Sequence, residues 1–248
     1  MNKGKPKETG WARHSIFGLR QEWLELYLAE QKSWSQLGLL GNRQVDSLAV
    51  WLETAGLVNK PGQPTWLNKI FTVRGTGSLD LWQLLWVNVV FNFPTARWYI
   101  RLGLGEWTTS QLRSLLLTVI PDFAERTVSN AVMELVGLLE RTPVGRELGQ
   151  GEVSGGRPRR VTRRGMLPVD AAIMMAIGRL YLQEERPYLA WEDDLVWPWT
   201  VFGCARQAIL PRLLDLHQND IEITETGLII RNLDREWWEC GIILTTLR

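Results

Sequence analysis

With 28 basic against 27 acidic residues among 248, a formal net charge of +1, the chain has no overall field to draw it to a polyanion, and its 45% hydrophobic content is enough for real cores. Two cysteines, Cys204 and Cys240, exclude a disulfide framework and fit a reducing compartment. The lysine-rich Met1–Gly10 leads into no apolar signal core and no stretch reaches eighteen apolar residues, so the expectation is a cytoplasmic protein with no membrane contact.

The first apolar pattern at helical spacing is Leu19–Gln31, where Leu19, Trp23, Leu24, Leu26, Tyr27 and Leu28 form a broad face. A breaker, Ser33–Gly41, precedes a helix capped by Asn42, with Val45, Leu48, Ala49, Leu52 and Ala55 on one side and Gly56 at its end. Leu57 and Val58 then leave as a strand toward a polar turn over Asn59–Pro64. That order is the one winged-helix domains use.

A second module starts after the glycine-rich Arg74–Ser78. Its strongly apolar helix, Leu79–Phe93, is stopped by Pro94. Trp98–Leu102 is a short apolar segment, Thr108 or Thr109 caps a helix through Val119, and Glu125–Glu140 supplies a second, making another helix-turn-helix. Arg141–Val161, rich in glycine, arginine and proline, reads as a long hairpin or a flexible linker, with the flexible form expected.

In the third module Pro168 opens a helix striped by Val169, Ala172, Ile173, Ala176, Ile177, Leu180 and Tyr181. A short helical turn is expected over Trp191–Val196, then the Trp197-Pro198-Trp199 corner and a helix over Ala208–His217. Ile221–Thr224 and Leu228–Arg231, joined by Glu225-Thr226-Gly227, form the clearest β-hairpin in the sequence. The architecture expected is mainly α with short β-hairpins, as tandem winged-helix-like or helix-turn-helix modules over residues 1–72, 73–165 and 166–248.

The sharpest charge feature is the run 157–164, in which Arg157, Arg159, Arg160, Arg163 and Arg164 occur without one carboxylate. Free in solvent, such a run suits a phosphate backbone, releases counterions and leaves base reading to other elements. Arg43 and Gln44 on the early turns of one helix, and Asn130 on another, are the candidates for groove contacts, preferably with double-stranded DNA. The alternative is that the arginines pair with carboxylates of the same fold. The 14 tryptophans are mostly core residues; Trp197, Trp199, Trp237 and Trp238 are the candidates for exposed anchors of a protein interface.

Catalytic and metal signals are weak. His14 and His217 are the two imidazoles, with no nucleophile and orienting acid nearby in sequence, and no His/Cys group has zinc-ligand spacing. Cys204 reads as a small buried residue. Glu192-Asp193-Asp194 reads as capping and solvated charge rather than a cation site. Neither Arg74–Ser78 nor Gly103-Leu-Gly105 completes a phosphate-binding glycine motif. No catalytic residue, cofactor or metal is expected.

Several stretches carry a family resemblance. His14-Ser-Ile-Phe17, Leu19-Arg20, Trp23-Leu24, Leu37-Gly38, Gly41-Asn42, Trp51-Leu52 and Gly56-Leu57 resemble the opening of a bacterial family catalogued as domain of unknown function 4007. Leu81–Trp86, Ala96–Tyr99 and Thr226-Gly227-Leu228 look like its later parts. Ser15 and Ile16 stand where the family has Glu and Thr. The resemblance implies a locus beside a phosphoadenosine-phosphosulfate-reductase-like protein, linked to DNA sulfur modification (phosphorothioation) and phage defence. It also implies that this partner carries the sulfur or nucleotide chemistry. The leading expectation is a non-enzymatic, DNA-binding accessory subunit. The alternatives are an interaction scaffold of the same kind of complex without nucleic-acid contact, and an enzyme completed by a partner or cofactor.

Overall fold

The computed structural model describes residues 9–31, 33–216 and 221–231. Trp237, Trp238, His217 and Cys240 lie outside them.

The first module contains α1 (Gln21–Glu30), α2 (Asn42–Thr54) and α3 (Trp66–Arg74). In α2, Leu48, Trp51 and Leu52 are buried at the spacing of a single helical face. Gly56 follows with φ +70°, and a Cβ there would fall 2.3 Å from Asn88 Nδ2, so the position excludes a side chain twice over. The chain leaves α2 through a lone bridge, Val58 to Pro64. The sequence pattern missed α3, whose first turn is capped by the Thr65 hydroxyl.

The middle of the molecule is α4 (Leu79–Asn92), buried at every position from Leu81 to Phe91. A helix that is apolar all round has to be surrounded. α4 packs against α8 (Asp170–Glu184), Trp86 Nε1 donates to Val201 O at 3.1 Å, and Asn88 Nδ2 donates to Ala55 O at 2.9 Å. Residues from all three expected modules therefore pack into one hydrophobic cluster.

Pro94 ends α4 and also opens α5 (Pro94–Arg101), where its missing N–H costs nothing. After α5 come β1 (Gly105–Thr108), α6 (Thr109–Val119), α7 (Glu125–Arg141), β2 (Glu152–Ser154) and β3 (Arg160–Arg163). After α8 come β4 (Tyr188–Ala190), α9 (Pro198–Phe202), α10 (Arg206–Leu216), β5 (Ile221–Ile223) and β6 (Gly227–Ile230). Both runs have the order helix, strand, two helices, hairpin. Both close an antiparallel three-stranded sheet with the third strand in the middle, β1-β3-β2 and β4-β6-β5. The molecule thus repeats a topology that its sequence does not show as a repeat.

The mainly helical reading with short hairpins agrees with this architecture, and the hairpin expected after Ile221 is β5–β6. Two local expectations are corrected. Residues 191–196 contain no helix; the strand β4 precedes them and pairs with β6. The supposed flexible linker is ordered, with β3 paired to β2 on one side and β1 on the other. No helix among the described residues is long and apolar enough to cross a membrane.

The segment before α1 lies against α7 at a glycine pair: a Cβ on Gly18 would sit 2.1 Å from the carbonyl carbon of Gly137. Gly18→Ala is expected to cost roughly 2 kcal/mol or more through overpacking. Gly77→Ala, where nothing lies within 4 Å, is expected to be nearly neutral. The urea midpoints of the two variants measure the difference.

Candidate nucleic-acid interface

On a β-strand successive side chains point to opposite faces, and this alternation divides the arginine run. Arg160 Nη1 donates to Glu106 Oε1 at 2.6 Å, and Thr162 Oγ1 donates to the other oxygen of Glu106 at 3.2 Å. These bonds, Arg160's foremost, hold the Glu106 carboxyl below its usual range. Arg164 Nη1 donates to Glu152 Oε2 at 2.7 Å, and Arg146 Nε donates to Glu152 Oε1 at 3.2 Å. Arg159 Nη1 reaches Glu140 on α7 at 2.7 Å. Arg157, at the turn between β2 and β3, is exposed and has no charged partner among the described residues.

Arg163 faces the other way and is 2% exposed. All five of its N–H groups are used. Nε donates to Gln150 Oε1 at 3.2 Å, Nη1 to Ile100 O at 2.7 Å and Gly103 O at 3.1 Å, and Nη2 to Thr200 O at 2.8 Å and Val201 O at 3.0 Å. Burial lowers its pKa to about 10, which leaves it charged at neutral pH. Expected as a phosphate clamp, Arg163 is instead a buried brace between the β1-β3-β2 sheet and α9. Its alternation with Thr162 and Arg164 was the available signal, and it is readable only once the segment is known to be a strand.

The remaining candidates are spread over three surfaces. Arg43 is exposed at the start of α2, its guanidinium 6.0 Å from the Phe17 ring centre. Gln44 is occupied as a cap, its Oε1 accepting from Gly41 N at 3.0 Å. Asn130 lies half-buried on α7, ten residues and thus about 15 Å along the helix from Glu140, where Arg159 docks. Trp197 is 3% exposed, not the free anchor expected. It stacks on the half-buried Trp199 with ring centres 4.8 Å apart and planes at 10°.

His14, the head of the resemblance motif, was not placed in any site from sequence. It is fully buried, stacked on Trp51 at 3.6 Å and edge-on to Phe93 at 4.8 Å. Its Nδ1 lies 2.9 Å from Glu134 Oε2, and a carboxylate only accepts, so Nδ1 carries the proton. Nε2 lies 3.0 Å from the Thr54 hydroxyl. Glu134 also accepts from the backbone N–H groups of Arg13, His14 and Ile16 at 3.0–3.1 Å. Ser15 and Ile16 adopt positive φ in the turn this carboxylate caps. An imidazole does meet an acid here, and both side chains are closed off from the surface. The pair fastens the segment preceding α1 to α2 and α7.

No group of three or more His, Cys, Asp or Glu side chains among the described residues could hold a metal ion. The acidic run after Trp191 is dispersed into ion pairs, Asp193 with Arg186 at 2.6 Å and Asp194 with Arg101 at 3.4 Å. Cys204 is half-buried, and burial pushes its thiol pKa up, away from nucleophilic reactivity.

No family model and no curated protein matches the sequence. In fold the chain is similar to the crystal structure of magnesium ion-bound SspB and to that of SspB, at 15% and 14% identity. Each gives a TM-score of 0.68 over 96% of this chain and 88% of the other. At this identity the likeness shows a shared fold, and it spans nearly the whole of both chains.

Two outcomes follow from the buried charges. Arg163→Ala, which takes one donor away from each of four backbone carbonyls and from Gln150, is expected to cost on the order of 3 kcal/mol or more, with Arg163→Lys also destabilising because three donors cannot replace five; denaturant melts measure both. Burial lowers the His14 pKa against the pull of Glu134, so the unfolded chain takes up the proton more readily than the folded one. Stability is therefore expected to fall as the pH drops below about 6.5, the ordinary histidine value. A His14→Gln variant is expected to lose that part of the pH dependence in melts between pH 7 and pH 5.

Proposed function

We propose that the chain is a non-enzymatic, duplex-DNA-binding accessory subunit of a bacterial DNA sulfur-modification and defence system. In this reading it works beside a phosphoadenosine-phosphosulfate-reductase-like partner that carries the chemistry. The observation that carries the reading is the basic β2–β3 hairpin, mounted behind α6 and α7 in a helix–strand–helix–helix–hairpin unit. That order is the order of a winged helix, with α7 in the place of the recognition helix and the hairpin as its wing. The fold likeness to SspB and the family resemblance support the system; the hairpin's charge supports the ligand.

Arg146, Arg159, Arg160 and Arg164 divide three carboxylates among them, Glu106, Glu140 and Glu152, and Arg157 at the tip adds an unpaired charge. Solvent-exposed pairs of this kind contribute little, typically about 0–1 kcal/mol. Exchanging a carboxylate for a phosphate therefore costs the fold little, and the positive surplus favours the exchange. Arg43 and Asn130 are secondary contacts in this reading, and Gln44 contributes only after giving up its cap.

A fluorescence anisotropy titration of a duplex across salt tests the proposal. Changing Arg157, Arg159, Arg160 and Arg164 together to alanine is expected to weaken binding at least about tenfold near physiological salt and to flatten the salt slope by roughly 0.9 for each phosphate that is no longer neutralised. Equal affinity and slope in wild type and variant would remove the hairpin from the mechanism.

The pairing of Arg159, Arg160 and Arg164 with carboxylates of the same fold is the observation that favours the rival reading, an interaction scaffold without nucleic-acid contact. In that case a complex with the reductase-like partner survives nuclease treatment and is indifferent to the four-arginine change.

A further inference from the structure

A pocket of about 860 Å³ opens between the end of α5, the approach to β1 and the Trp197–Trp199 corner. One wall is the stacked pair Trp197 and Trp199, backed by Trp191, whose ring centre lies 5.1 and 5.9 Å from theirs. Leu104, more than half exposed, stands at the mouth, and Asp193 and Asp194 place carboxylates on the rim. The inner wall includes Arg163.

Close to this wall one indole N–H lacks an acceptor. Trp51, Trp82, Trp86 and Trp191 each donate their indole N–H to a backbone carbonyl, whereas Trp197 Nε1 is buried and has no acceptor among the described residues. A buried indole N–H ordinarily has a partner. That N–H has essentially no accessible surface, so the pocket offers a ligand its aromatic wall and the rim carboxylates of Asp193 and Asp194, which match a flat heteroaromatic ring with N–H donors on its edge. A nucleobase has this chemistry.

Position adds to the match. Arg163 in the pocket wall lies on the same strand as Arg160, with Arg164 adjacent, and at about 3.3 Å rise per residue both outward arginines are within about 10 Å of it along the strand. Arg160 and Arg164 project from the side of β3 opposite Arg163, so a nucleic-acid strand held by them has to turn past the end of β3 to bring a base to the pocket mouth. We infer that this pocket receives one unpaired nucleobase, stacked on Trp199, either from a strand lying along the basic hairpin or from a free nucleoside. The strand source rests on the DNA-binding reading above; the pocket chemistry does not.

The test uses the full chain and three probes: a blunt duplex, the same duplex with a single-nucleotide overhang of a fluorescent aminopurine, and the free aminopurine nucleoside. Wild type is expected to quench the overhanging base and to bind that duplex about tenfold more tightly than the blunt one, the scale of one base stacked on an aromatic ring. Trp199→Leu and Leu104→Glu are each expected to abolish the quenching and the preference while leaving blunt-duplex affinity unchanged. Leu104→Glu, at the mouth and outside the ring cluster, decides the matter if circular dichroism shows that Trp199→Leu has unfolded. The four-arginine variant is expected to weaken both duplexes alike. Quenching and preference that persist in Leu104→Glu, or no preference in wild type, would overturn the pocket. If neither duplex binds but the free nucleoside is quenched and Leu104→Glu removes that quenching, the pocket stands as a nucleoside site and the DNA-binding reading falls. If no probe is quenched, the pocket inference falls whatever the duplex affinities.

Discussion

A buried guanidinium holds the two helix–strand units of this protein together. Arg163 has no carboxylate partner among the described residues; its charge is solvated by four backbone carbonyls and one amide oxygen drawn from α5, the loop between α5 and β1, the loop before β2 and α9. Taking such a charge out of water is costly unless every donor is met, and here every donor is met. The same geometry fixes the neighbouring backbone. Gly165 and Gly203 approach so closely that a Cβ on Gly165 would fall 2.1 Å from the Gly203 carbonyl oxygen, and the Val201 carbonyl that receives Arg163 also receives the indole of Trp86 from the central helix. The brace thereby sets the pose of the basic hairpin and one wall of the tryptophan-lined pocket.

The opposite charge plays a matching part on α7. Glu134 is 1% exposed and satisfied by three backbone N–H groups and His14. The partners come from a segment more than a hundred residues distant in sequence. The motif beginning at His14 is thus explained as a fastening: the imidazole fills the space between Trp51 and Phe93 while its two nitrogens reach α7 and α2. Ser15 and Ile16, both at positive φ, occupy the turn between His14 and Phe17.

Much of the helical architecture was legible in the sequence because amphipathic spacing and breaker residues act locally. The stripe from Val169 to Tyr181, the apolar run before Pro94 and the hairpin around Gly227 each carry their own signal. What escaped has a common cause. The strands β1 and β4 are four and three residues long, too short to display alternation, and exist because a distant strand pairs with them. The helix α3 follows a turn whose prolines and glycine masked it. The internal repeat is one of topology, which hydrophobic pattern and residue identity need not preserve.

The arginine run shows where the division falls. Sequence alone established that five guanidiniums lie in eight residues without a carboxylate, and hence that this stretch concentrates positive charge. It also established a helical scaffold with little sign of a nucleophile or metal cluster. Tertiary structure decided which of those charges reach solvent: strand alternation turned Arg163 inward, pairing between β1, β2 and β3 brought Glu106 and Glu152 to its neighbours, and α7 supplied Glu140. Charge content is additive along a chain and can be counted; exposure and partnership depend on which distant backbone a residue is folded against.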